Sequence, residues 1–161
     1  MIIYISIGTN LGDREANLRD ALRMLDQRVG EQLASSSIYR SAPQGFLSNH
    51  QFANIVAVYR SSYSLEDLLL ITQQIEREMG RTEKSVNGIY HDRVIDIDLL
   101  QAYSENGGGA RIENRIEYAS DTLTLPHPRM QERDFVMIPL HEVEEILNAS
   151  ANNLKPTKYN Q

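Results

Sequence analysis

The stretch YHDRVIDIDLL, residues 90–100, sets two carboxylates into an otherwise apolar run. Val94, Ile95, Ile97, Leu99 and Leu100 are residues of a buried strand, whereas aspartate is a poor strand former. Side chains alternate faces along a strand, so Ile95, Ile97 and Leu99 point one way while Asp96 and Asp98 share the other face. Two like charges spaced at about 7 Å along a strand repel unless a cation lies beside them. Alternating polar residues also mark the wet face of any half-solvated strand. Hard oxygen donors on a rigid strand suit magnesium, which takes one or two carboxylates and completes its shell with water and substrate phosphates. The pair therefore reads as a magnesium platform for a phosphorylated substrate.

Outward from that strand the chain alternates in type. Residues 2–8, IIYISIG, put Ile3, Ile5 and Ile7 on one face and end at a glycine, which predicts a strand. Asp13 and Glu15 open a segment with Leu18, Leu22, Leu25 and Val29 at helical spacing, stopped by Gly30. Residues 33–41 and 52–61 read as strands separated by a polar, glycine-bearing loop. Ser64, with Asp67 three residues on, resembles a capping box; Leu65, Leu68, Leu69, Thr72, Ile75 and Met79 then form the stripe of a helix ending at Gly80. The order β-α-β-β-α-β predicts an α+β, ferredoxin-like antiparallel sheet with helices on one face and a C-terminal extension. In that extension SENGGGAR reads as a turn or insertion, FVMIPLHEV as a short helix delimited by Pro139, and residues from about 146 to 161 as a flexible tail.

With 161 residues, 41% hydrophobic and 24% charged, a single domain spanning 1–161 is expected. The absence of cysteine excludes disulfides, thiolate nucleophiles and zinc-thiolate sites. No leader pattern opens the chain and no apolar run approaches about 20 residues, so a cytoplasmic protein without a membrane partner is expected. A formal charge of −6 argues against a nucleic-acid partner, which requires a basic surface. It leaves room for a nucleotide, because Arg81, Lys84, Arg93, Arg129 and Arg133 cluster in sequence around the acidic strand. Arg81 and Arg93 flank the approach to that strand, where a guanidinium can meet phosphate in bidentate fashion.

Other motifs are weaker. GTNLGDRE after the first strand lacks the ending of a P-loop and the full dinucleotide pattern, and reads as a tight strand-to-helix turn. His50, His91, His127 and His141 have no metal-ligand spacing, and no serine-histidine-acid arrangement is present. Phe52 and Asn54 alternate on one strand face, an aromatic beside an amide that suits a flat heterocycle or simply a core.

Taken in series, IGTNLGDRE (7–15), YRSAPQGF (39–46), FANIVA (52–57), IEREMGR (75–81), HDRVIDIDLL (91–100) and LPHPRMQERDFVMIPL (125–140) resemble the 6-hydroxymethyl-7,8-dihydropterin pyrophosphokinase family. The resemblance implies transfer of diphosphate from ATP to the pterin hydroxymethyl group, releasing AMP, with two Mg2+ ions, by a monomer of folate biosynthesis. By the same match Asp96 and Asp98 would bind metal, and Arg81 and Arg93 would hold phosphates. Gln73, Glu76, Lys84, Leu99, Thr124, His127 and Arg133 fall at nucleotide positions. Ser41, Ala42, Gln44, Phe52, Asn54, Tyr90 and Phe135 fall at pterin positions, and the loops at 44–51 and 82–92 would be lids. Tyr90 replaces a tryptophan common in the family, and Glu83 a second arginine. Two rivals stand beside this reading: a ferredoxin-like ligand or RNA module without turnover, and a magnesium enzyme with another acceptor.

Overall fold

Isoleucines at every second position dominate the first strand because that face of the sheet packs into the core. The computed structural model describes residues 1–41, 51–80, 94–105 and 112–153. Among these residues the chain runs β1 (Ile2–Thr9), α1 (Arg14–Arg28), β2 (Glu31–Ser35), β3 (Tyr39–Ser41), β4 (Phe52–Arg60), α2 (Leu65–Glu78), β5 (Asp96–Glu105), β6 (Ile112–Ile116), β7 (Tyr118–Ala119) and β8 (Thr124–Leu125). A 3-10 turn at Met130–Glu132 then leads into α3 (Asp134–Asn153). The main sheet has the order β2-β4-β1-β5-β6, with β3 also paired to β4, and every pairing is antiparallel. Among the described residues this is an α+β arrangement with three α-helices.

Both early helices begin where the sequence asks them to. The Asp13 side chain accepts the Ala16 N–H at 3.0 Å, and Ser64 Oγ accepts the Asp67 N–H at 3.1 Å. Each removes one of the orphan donors of a helix start, worth about 1 kcal/mol. After α1 the chain turns at Gly30, whose φ of +154° and whose ideal Cβ position 2.0 Å from the Arg60 carbonyl oxygen leave no room for a side chain. The GTNLGDRE segment is the expected strand-to-helix turn: Asn17 Nδ2 donates to Leu11 O at 2.8 Å and to Thr9 Oγ1 at 3.2 Å.

The sheet has two cores. On one face Ile3, Ile5, Ile7, Ile55, Ile97 and Leu99 meet Leu18, Leu25, Leu68 and Ile75 of α1 and α2. On the other, Ile2, Tyr4, Val56, Val58 and Leu100 meet Val136, Leu140 and Val143 of α3. A register shift opposite Tyr4 and Ile5 lets Leu99 and Ala102, three residues apart on β5, occupy the same core. Such a bulge inverts the alternation of a strand.

Two expectations for the extension are corrected. The short helix delimited by Pro139 is a helix of 20 residues that contains Pro139. Proline removes one helical hydrogen bond at a cost of about 3 kcal/mol in a helix interior. Burial of Val136, Pro139, Leu140 and Val143 along one side offsets this, at roughly 1.5–3 kcal/mol per large apolar side chain. The tail expected from about residue 146 is helical through Asn153, because the stripe continues to Leu147 against the second core; residues 154–161 lie outside the described residues. Of SENGGGAR, residues 106–111 lie outside the described residues, and β6 follows them alongside β5.

Candidate active site

The acidic pair sits where β5 leaves the cover of α3. Ile95, Ile97 and Leu99 are at most 3% exposed, and all three belong to the core beneath α1 and α2. Asp96 and Asp98 are half-buried on the opposite face. Paired residues in neighbouring strands share a face, so the register decides what lies beside them. Asp96 is opposite Gly8, Gly8 opposite Asn54, and Asn54 opposite Tyr39, giving one row across four strands. The next row is Asp98, Ser6 and Val56.

Gly8 is the position that sequence inspection missed. A Cβ there would lie 2.6 Å from Asn54 Oδ1 and 4.0 Å from Phe52 Cδ1. The missing side chain is what lets the Asn54 amide and the Phe52 ring lean over β1, with Gly8 alone standing between Asn54 and Asp96 in the row. A glycine inside a strand is the signal for such close approach. Asn54 is 3% exposed and donates from Nδ2 to Ser41 Oγ at 3.4 Å. Ser41 lies opposite Phe52 in the register, so Ser41, Phe52 and Asn54 form one cluster.

The segment after β8 brings the cationic side. The His127 N–H donates to Leu100 O at 2.7 Å, which ties this segment to the edge of β5. His127 Nδ1 accepts the Arg129 N–H at 3.3 Å, so the neutral ring carries its proton on Nε2. Burial holds the His127 pKa below its ordinary value, Arg133 and Arg129 add to the depression, and Asp96 opposes it. Asp96, His127 and Arg133 therefore act within one electrostatic neighbourhood. The Arg133 guanidinium lies 5.7 Å from the centre of the Phe135 ring, a cation–π distance that joins a residue expected at the nucleotide to one expected at the pterin.

On α2, Gln73 is half-buried, and Glu76 is 2% exposed with Oε1 accepting the Ile97 N–H at 3.1 Å. Thr124 is exposed on β8. The Leu99 side chain lies in the first core, so any contact it makes with a ligand on the acid face runs through its main chain. Arg81, Lys84, Tyr90, Arg93, Ala42 and Gln44, with nearly all of both expected lids, lie outside the described residues. Among the described residues no three metal-ligating side chains gather in one place. The chemistry of the acidic pair is that of a two-carboxylate site with hard oxygen donors, which fits magnesium completed by substrate and water.

A carboxylate pair, a buried amide, a histidine and an arginine at one end of a sheet face suit a transferase of phosphorylated substrates, a class in which positioning and charge compensation dominate. The family model for 7,8-dihydro-6-hydroxymethylpterin-pyrophosphokinase matches residues 4–145, and the chain belongs to that family. It is 47% identical over 150 residues to a 2-amino-4-hydroxy-6-hydroxymethyldihydropteridine pyrophosphokinase of Porphyromonas gingivalis, covering 93% of this chain and 95% of the relative. A Bacillus subtilis protein of the same name is 38% identical over 143 residues, 88% of this chain and 77% of that one. The crystal structure of Plasmodium falciparum HPPK-DHPS with pteroate superposes with a TM-score of 0.60 at 11% identity, a likeness of fold alone. This chain covers 45% of that longer one. By its family the chain is an enzyme, a pyrophosphokinase. No helix among the described residues is long and apolar enough to cross a membrane.

Proposed function

We propose that the chain transfers the diphosphate of ATP to the hydroxymethyl oxygen of 6-hydroxymethyl-7,8-dihydropterin in folate biosynthesis, as a cytoplasmic monomer. The hydroxymethyl oxygen attacks the β-phosphorus, an O–P bond forms, the bond from that phosphorus to the oxygen bridging the α- and β-phosphates breaks, and AMP departs with that oxygen. The observation that carries the reading is the row Asn54–Gly8–Asp96, in which an amide and a carboxylate face each other across a side-chain-free floor.

Asn54 reads the donors and acceptors of the pterin edge, Ser41 orients that amide, and Phe52 and Phe135 flank the ring. Asp96 and Asp98 are the residues that would hold two magnesium ions, which would supply charge neutralisation of the triphosphate. Arg133 faces the same phosphates, and the neutral His127 offers Nε2–H as a donor to the nucleotide. Gln73, Thr124 and Leu99 complete the nucleotide side, whereas Glu76, expected there from its sequence match, is buried with its carboxylate on the Ile97 N–H. Arg81, Arg93, Lys84, Tyr90, Ala42 and Gln44 enter through their sequence match. Holding acceptor oxygen and β-phosphorus in line converts an encounter of two molecules into a positioned displacement. The strand order β2-β4-β1-β5 with α1 and α2 on one face supports the ferredoxin-like description of a single domain.

Incubation with ATP, magnesium and reduced hydroxymethylpterin should release AMP in step with diphosphorylated pterin. Formation of ADP overturns the reading. AMP released with a different acceptor but not the pterin favours another magnesium enzyme, and pterin binding without turnover favours a ligand module.

A further inference from the structure

The outer edge of β5 is closed in an unusual way. On its inner side β5 pairs with β1 from Asp96 onward, but on its outer side β6 begins only at Ala102. An exposed strand edge carries unpaired N–H and C=O groups that need partners. The Leu100 carbonyl takes the His127 N–H. The Ile97 N–H, directed away from β1, is taken by the side chain of Glu76 at 3.1 Å. Ile97 is the residue between the two aspartates.

Glu76 is 2% exposed and lies on the α2 side that carries Thr72 and Ile75. A carboxylate is costly to bury unless charge-assisted hydrogen bonds hold it. Among the described residues no strand pairs with this end of β5 on its outer side, and the Glu76 carboxylate accepts the Ile97 N–H as a strand carbonyl would. The peptide plane that carries the Ile97 N–H also sets the direction in which Asp96 leaves the strand, and the angle between Asp96 and Asp98 follows from it. Sites of this kind need side chains held within about half an ångström.

We infer that Glu76 is a positioning residue for the metal-holding pair, acting through the Ile97 amide rather than by touching the nucleotide. The inference rests on the magnesium role proposed above for Asp96 and Asp98. It predicts that an acceptor oxygen at the right reach is what matters. Glu76→Gln keeps the acceptor without the charge, Glu76→Asp keeps the charge with a shorter reach, and Glu76→Leu keeps the volume without either.

The test combines three readouts: amide exchange of Ile97 by NMR in the ligand-free protein, Mn2+ binding by electron paramagnetic resonance, and the Mg2+ and ATP dependence of AMP release. In Glu76→Leu and Glu76→Asp, Ile97 exchange should quicken about tenfold, the equivalent of one lost hydrogen bond. Mn2+ affinity should fall and half-saturating Mg2+ should rise by a similar factor, with the ATP KM at saturating Mg2+ little changed. Glu76→Gln should match the wild type in all three. Unchanged Ile97 exchange and metal affinity in Glu76→Asp overturns the inference even if Glu76→Leu fails to fold. A raised ATP KM in Glu76→Gln with wild-type exchange overturns it in favour of direct nucleotide contact. Wild-type protein that releases no AMP would overturn the proposed function, while the exchange and Mn2+ arms would still decide the role of Glu76.

Discussion

One face of the main sheet has two ends with opposite characters. At one end Ile2 and Tyr4 of β1, Val56 and Val58 of β4 and Leu100 of β5 pack beneath α3. At the other end the same strands present Ser6 and Gly8, Phe52 and Asn54, Asp96 and Asp98. The change occurs within two residues on each strand, from Tyr4 to Ser6, from Val56 to Asn54 and from Leu100 to Asp98. A backbone fixed by packing at one end extends rigidly into the other, so polar groups there are aimed without a core of their own. Stability and chemistry are thus divided along the strands. The α3 end is further pinned by Glu142, whose carboxylate accepts the Ser37 N–H at 3.0 Å and the Ser37 hydroxyl at 2.9 Å.

The largest effect should come from the open end. Asp96→Ala or Asp98→Ala is expected to lower turnover by about a thousandfold or more, as loss of charge stabilisation at a reacting centre does. Thermal melting should stay near that of the wild type, because both acids are only half-buried. AMP release within tenfold of normal in either variant would break the comparison at its most important point.

At the covered end the reverse is expected. Leu140→Ala, at a side chain 3% exposed, should cost about 2–5 kcal/mol of stability by urea unfolding. The kcat measured well below the transition should hold steady. A variant of full stability and poor turnover would mean that α3 acts on the chemistry directly.

Gly8→Ala sharpens the boundary between the pterin and metal halves of the floor. The added methyl group must displace Asn54 Oδ1, 2.6 Å away, so the pterin KM should rise by about tenfold, the worth of one displaced hydrogen bond. The ATP KM should be unaffected. Equal losses toward both substrates would refute the assignment of Asn54 to the acceptor.

The smallest effect is on pH. His127 is held below its ordinary pKa of 6.5 first by burial and then by Arg133 and Arg129. Above that value both folded and unfolded forms are neutral and nothing is gained or lost. As pH falls below about 6.5 the unfolded chain takes the proton first, so stability declines. Melting of ligand-free wild type should therefore drop more steeply toward acid than melting of His127→Gln, and parallel curves would exclude this contribution.

Much of this was legible along the chain. The alternation of Ile95, Asp96, Ile97, Asp98 and Leu99 predicted the shared acid face, and Asp13 and Ser64 predicted both helix starts. The strand that follows the glycine-rich segment and the full length of α3 were not legible. Local signals there pointed to turn and breaker, whereas pairing with β5 and burial against the second core prevailed.

By itself the sequence determined most of the elements up to β5 and the shared face of the two acids, because hydrophobic period, capping and charge spacing are properties of near neighbours. Only the tertiary structure decided that Gly8 separates Asn54 from Asp96, that α3 closes one half of the second face, and that Glu76 holds the amide between the two acids. Those relations join residues 20 to more than 40 positions apart along the chain. Register and edge closure bring them together, and neither leaves a periodic trace in the chain.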